Sequence, residues 1–200
     1  MSTKTMDDAV FYDAACRVFR KAGPADTEAV FSAVSARAEA LGIRKIVVAT
    51  CSGRSALVAR ERLPNALEVI AVSHVTGFRG ADTQELSVEN REALRERGMK
   101  IVTAAHAFGS VGRGVRNRIG SYQIDEIIAY ALRMFGQGTK VAVEITLMAA
   151  DAGLVRTDEH VIAVGGTKEG VDTALVVRPS TSAHCLDLKV REIVCKPAEF

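Results

Sequence analysis

An α/β fold with a mostly parallel sheet and an antiparallel edge follows from three features of the sequence. Helix-like segments alternate with short apolar runs along most of the chain. Those runs are rich in β-branched residues, as in strands buried on both faces. The tail carries several strand-like runs with little helix between them, which suggests hairpin pairing.

The elements follow in order. A helix-like start runs from Asp7 to about Phe19, and the turn Lys21-Ala-Gly-Pro24 leads to Asp26, a plausible N-cap. Ala29, Val30, Ala33, Val34 and Ala38 then form one apolar face, and Gly42 stands where a helix C-terminus wants glycine. The run Lys45 to Thr50 predicts a buried strand. A helix over Arg54 to Arg62, a strand over Leu67 to Val72, a helix from Ser87 to Arg97 closed by Gly98 and a strand over Lys100 to Ala104 continue the alternation. A helix over Ile124 to Phe135 precedes Val141-Ala-Val-Glu-Ile145, expected as a further strand. Val161 to Val164, Ala174 to Val177 and Leu188 to Val194 are the tail strands, the last two expected to offer an exposed edge for pairing. The division expected is a helical extension over residues 1–18 and a single α/β domain over 19–200.

Composition narrows the function. The 200 residues suit one large domain and fall short of the roughly 250 of a complete (β/α)₈ barrel enzyme. With 26 Lys+Arg against 24 Asp+Glu, no Trp and 5% aromatic residues, the chain lacks the charge and the stacking surfaces for nucleic acid, and the charge for an anionic membrane. No run approaches the roughly 20 apolar residues of a membrane span, and the N-terminus lacks the order of a secretory signal, so a cytoplasmic protein is expected. Cys16, Cys51, Cys185 and Cys195 are scattered and read as free thiols. No metal site is expected, since the histidines and cysteines show no ligand spacing. Phosphate-loop, nucleophile-elbow and zinc-protease motifs are absent.

In open parallel sheets, ligands bind outside the carboxyl ends of the strands. The segments after the expected strands are Thr50 to Ser55, Ser73 to Phe78, Ala105 to Ser110, Glu144 to Asp151, and Gly165 to Lys168 running on to Thr173. All are rich in Gly, hydroxyl or ionisable residues, which points to one composite pocket. The sharpest piece is Thr50-Cys51-Ser52-Gly53-Arg54-Ser55, between a strand and a helix. Helix N-terminal amides, a glycine allowing close approach, hydroxyls and an arginine together suit a phosphate; a simple N-cap at Ser52 or Ser55 is the plain alternative.

Thr50-Cys-Ser-Gly-Arg-Ser-Ala56, continued by Val69 to Ser73, resembles the C-terminal α/β domain of pyruvate kinase, in which a T-x-S-G-R-[ST]-A loop holds a phosphate of the sugar bisphosphate effector. Ser73 to Phe78, Val143 to Gly153, and Ile162 to Thr167 with Asp172 to Ala174 resemble the stand-alone pyruvate kinase alpha/beta domain proteins. That resemblance runs from about Phe19 to Pro197. It implies a three-layer α/β/α sheet with one antiparallel strand, no kinase barrel, absence of pyruvate kinase activity, and bound flavin mononucleotide (FMN).

On that reading the protein is expected to bind FMN, as a flavoprotein of unknown substrate. The Thr50 to Ser55 loop would take the phosphate, Thr76 and Gly77 the ribityl chain, and Phe78, Phe108 or Met148 the ring face, with His74, Gly165, Gly166 and Thr167 completing the site. The alternative is a regulatory module binding a sugar phosphate or nucleotide without chemistry. A phosphorylated small molecule is the expected partner in both cases, and a homo-oligomer stays open.

Glu144, His74 and His106 are the candidates for acid or base chemistry. A carboxylate in a strand buried on both faces needs a partner, and for Glu144 a backbone N–H or an arginine is the alternative to a functional role. His74 and His106 could contact a ligand or simply be hydrogen-bonded loop residues. Cys51, before a helix N-terminus, could have a lowered pKa or be a small buried side chain. Asp151 and Asp172 sit near Gly153 and Gly170 and suit turns or caps. Arg113, Arg116 and Arg118 could receive a phosphate or form a solvated helix face.

Overall fold

The computed structural model describes residues 11–200. One seven-stranded sheet organises the chain. In sequence order the strands are β1 (Arg17–Lys21), β2 (Lys45–Ala49), β3 (Glu68–Ser73), β4 (Lys100–Thr103), β5 (Val161–Gly165), β6 (Thr173–Arg178) and β7 (Lys189–Glu199). Across the sheet they run β1-β7-β6-β5-β2-β3-β4. Every neighbouring pair is parallel except those made by β6, which is antiparallel to both β5 and β7. The helices are α1 (Thr27–Leu41), α2 (Arg54–Arg62), α3 (Val88–Glu96), α4 (Val111–Ile119), α5 (Ile124–Arg133) and α6 (Gln137–Asp151).

The period of two in the strands divides the core. Ile46, Val48, Val69, Ala71, Ile162, Val164, Ala174 and Val176 face Val30, Phe31 and Val34 of α1 and Ala56 and Ala59 of α2. Their alternates Val47, Ile70, Val72, Ala163, Leu175 and Val177 face Ala142, Ile145, Leu147 and Ala149 of α6. Helices therefore cover both faces of a mostly parallel sheet, the three-layer arrangement expected. Each large apolar side chain so buried contributes roughly 1.5–3 kcal/mol relative to exposure.

Three expectations are corrected. Val141 to Ile145 is helix, the middle of α6. Its β-branched residues read as a buried strand because α6 packs against β2, β3, β5, β6 and α5 and is buried on nearly every side; a short continuous apolar run does not distinguish the two states. The helical start is the second correction. Residues 7–10 lie outside the described residues, 11–16 have no regular structure, and Arg17–Lys21 is a strand. Pairing with β7, Arg17 against Cys195 and Phe19 against Pro197, outweighs local helical preference there. Third, the tail strands offer less edge than expected. β6 lies between β5 and β7, and β1 covers β7 from Cys195 to Glu199, so only the Lys189 to Val194 part of β7 has no strand on its outer side; the outermost strands are β1 and β4.

The outer helices are less completely covered. Val111 and Ile119 of α4 and Ile124, Ile127 and Tyr130 of α5 are exposed. Among the described residues no helix is long and apolar enough to cross a membrane.

Candidate functional site

Because β2, β3, β4 and β5 are parallel, their carboxyl ends meet at one edge of the sheet. A cleft of about 1110 Å³ opens there. Its walls are the loops after β2, β3 and β5, His106 after β4, the start of α1 and one face of α6.

Of the expected site residues, Thr50, Cys51, Ser52, Arg54, Ser55, His74, Phe78, His106, Glu144, Met148, Gly166 and Thr167 line this cleft. Gly53, Thr76, Gly77, Phe108 and Gly165 do not. Gly53 acts through the backbone: its φ of 96° bends the chain into α2, and a Cβ there would lie 2.9 Å from both Asn90 Cβ and Leu86 Cδ1. Its amide donates to Thr50 Oγ1 at 3.0 Å, and Asn90 Nδ2 donates to the carbonyl of Ser52 at 2.7 Å. The bend is thus pinned from within and from α3. Among the described residues the amides of Arg54 and Ser55 meet no protein acceptor, as expected of a first helical turn. The exposed Arg54 side chain donates to Ser52 Oγ at 3.2 Å and lies 3.7 Å from Glu169 across the mouth.

Thr76 and Gly77 are turned into their own loop. Gly77 N donates to the carbonyl of Thr83, and Gln84 Nε2 donates to Thr76 Oγ1. Phe78 packs on His74 and His106, with ring centroids 4.3 and 4.7 Å away, and carries the Arg113 guanidinium 4.8 Å from its centroid. Phe108 is buried below the cleft. Arg116 pairs with Glu126, and Arg118 is exposed, so of the three arginines only Arg113 approaches the cleft lining.

Glu144 reaches the cleft from α6, with both oxygens engaged. Oε1 accepts the amide of Phe108 at 3.0 Å, and Oε2 accepts from Lys140, one turn earlier. Burial draws the Lys140 ammonium below its usual pKa, opposed by the Glu144 charge. Asp172 is also buried: Oδ1 accepts from Thr173 Oγ1 and Oδ2 from the amide of Thr167, fixing the turn after β5. Asp151 lies at the far end of α6, where Ser182 donates to it.

Cys51 Sγ lies 3.2 Å from His74 Nε2, and His74 Nδ1 lies 2.6 Å from Glu85 Oε2. Glu85 Oε1 is 2.7 Å from Arg79 Nε. Burial, then the Glu85 charge, pushes the Cys51 thiol up to about 11, the reverse of the lowering that a helix N-terminus could give. His106 is pushed down to about 4, by burial first and then by His74, Lys140 and Arg113. Glu85 and Arg79 were not foreseen. They sit in the irregular segment between β3 and α3, whose path no local pattern specifies; an acidic residue between Gln84 and Leu86 carries no motif.

The expected FMN-binding flavoprotein is overturned. Of the side chains assigned to the flavin ring, Phe78 and Met148 line the cleft, Phe78 packed on two imidazoles and Arg113, whereas Phe108 belongs to the core. The residues assigned to the ribityl chain face away. The family that the chain matches is a pyruvate kinase domain and not a flavoprotein family. Residues 28–177 match the family described as Pyruvate kinase, alpha/beta domain. Among solved structures, a pyruvate kinase from Cryptosporidium parvum is similar at 17% identity and a TM-score of 0.41, over 77% of this chain and 23% of that one. Cryptosporidium parvum pyruvate kinase in complex with ADP is similar at 18% identity and a TM-score of 0.39, over 77% and 24%. The chain spans about a quarter of the length of these enzymes. The family match covers three quarters of the sequence, including the bend before α2 and the strands that form the cleft: the chain belongs to the pyruvate kinase alpha/beta domain family.

Proposed function

We propose that the cleft binds a phosphorylated small molecule, with its phosphate on the bend between β2 and α2. The observation that carries this reading is the Thr50 to Ser55 segment, which offers the free amides of Arg54 and Ser55 at the positive end of α2 beside the Ser52 and Ser55 hydroxyls and the Arg54 guanidinium. Opposite it, Thr167 lines the cleft with a buried hydroxyl that has no protein partner among the described residues. A ligand oxygen there would remove the cost of that unmade hydrogen bond. The cleft is large enough for a sugar phosphate or a nucleotide.

Thermal unfolding in the presence of phosphorylated sugars and nucleotides, each paired with its dephosphorylated counterpart, tests the reading. A ligand that binds only the folded state at 100 times its Kd adds about 2.7 kcal/mol of stability. The expected result is a raised Tm with at least one phosphorylated compound and none with its counterpart. No shift across millimolar concentrations of the panel would remove the proposal.

A further inference from the structure

The bend before α2 leaves the middle of the cleft without a role, and there Cys51, His74 and Glu85 form a chain. Glu85 is held by Arg79 on one oxygen and meets His74 Nδ1 with the other. An ionised carboxylate only accepts, so Nδ1 carries the imidazole proton and Nε2 turns its lone pair to the Cys51 thiol, 3.2 Å away. The three residues come from the segment after β2, the segment after β3 and the loop leading to α3, and all line the cleft. Nucleophile, base and orienting carboxylate therefore stand in the relation that covalent catalysis requires.

We infer that Cys51 is a nucleophile served by His74 as general base and oriented through Glu85, and that it acts on the carbonyl carbon of an ester or thioester whose phosphate rests on the Arg54 bend. The phosphate half of this inference rests on the proposed ligand; the nucleophile does not.

A metal site is the rival for the same atoms, whose donors lie within 4.8 Å of one another. Zinc takes three or four protein ligands. Glu85 has one oxygen on Arg79 and the other on His74, which leaves two donors. The geometry favours the nucleophile.

The high thiol pKa defines how the pair works. At neutral pH Cys51 rests as the thiol, so its proton must pass to His74 Nε2 while the bond to carbon forms. The other groups facing His74 are Phe78 and His106, and His106 stays neutral above pH 5. In the first step Sγ bonds to the carbonyl carbon, its proton passes to Nε2, and the carbonyl π pair moves to oxygen. Collapse of that intermediate breaks the bond to the leaving alcohol or thiol, which takes the proton from His74. Water, deprotonated by His74, then attacks the Cys51 thioester. The acid is released and the proton returns to sulfur, so the net reaction is hydrolysis.

Site-resolved mass spectrometry of the whole chain after timed exposure to iodoacetamide tests the base, with exposed Cys16 as internal reference. At pH 7.5, His74→Asn should slow Cys51 alkylation at least tenfold and leave Cys16 unchanged. Glu85→Gln should also slow Cys51 alkylation, because the imidazole loses the carboxylate that orients it, and Glu85→Asp should restore part of the rate, which a merely structural role would not predict. With p-nitrophenyl acetate, acetyl should appear on Cys51 and be absent from Cys51→Ala. Cys51 alkylation unchanged in His74→Asn and Glu85→Gln, no acetyl on Cys51, or one equivalent of zinc bound by the native protein and lost in Cys51→Ala would each overturn the inference. Neither reagent carries a phosphate, so failure here is distinct from failure of the phosphate site.

Discussion

Lys140 and Glu144 pair one helical turn apart inside α6, with their side chains only 4% and 6% exposed. The second Glu144 oxygen holds the Phe108 amide, so one carboxylate ties α6 to the segment after β4. Each charge is tolerable there because of the other. Glu144→Ala leaves a buried ammonium and an unpaired amide, and is expected to cost about 3–5 kcal/mol by urea unfolding. Replacing both residues with apolar ones of similar size should cost less than the single change. A double variant at least as damaged as Glu144→Ala would show that the pair contributes more than mutual compensation.

Arg54 and Glu169 stand across the cleft mouth from each other. For the phosphorylated compound giving the largest Tm shift, Arg54→Ala should weaken binding by roughly 1.5–3 kcal/mol through loss of a charge-assisted hydrogen bond. Glu169→Gln should strengthen binding, because it removes a carboxylate that competes for the same guanidinium. Titration calorimetry reads both, and unchanged affinity in Arg54→Ala removes that residue from the site.

His106 makes stability depend on pH. Its folded pKa of about 4 lies below the unfolded value of 6.5, so between these values the unfolded chain binds more protons. The contribution is full above pH 6.5 and is lost as pH falls toward 4, by roughly 1–3 kcal/mol with allowance for its partial exposure. Urea titrations at several pH values should show this slope, and His106→Asn should flatten it. An equal slope in the variant would assign the effect to other groups.

Gly165 sets the distance between β5 and α6. A Cβ there would meet the carbonyl oxygen of Gly138 at 2.4 Å and the amide nitrogen of Ala142 at 2.9 Å. Gly165→Ala must push α6 off the sheet and should cost about 1–3 kcal/mol as overpacking. Since Val141, Ile145 and Met148 line the cleft from α6, ligand affinity should fall with it. Wild-type stability and affinity in this variant would show that the two elements separate freely.

The sequence by itself determined the alternation of α1, β2, α2, β3, α3 and β4, because each carries a local signal: apolar period, a Ser or Gly at its end, a β-branched run. It also located the bend at Gly53, and strands ending in hydroxyl, histidine and glycine residues marked the mouth of the sheet. Tertiary structure decided the rest. Val141 to Ile145 is a helix because α6 is enclosed by the sheet and α5, and enclosure removes the polar face that would reveal its period. The Lys140 and Glu144 spacing of four residues is the one helical signal left in that segment. Thr76 and Gly77 point away from the cleft, and Glu85 points into it, because hydrogen bonds within an irregular loop fix its path. Such bonds join residues with no periodic relation, and so the chain of Cys51, His74 and Glu85 exists only once β2 and β3 lie side by side.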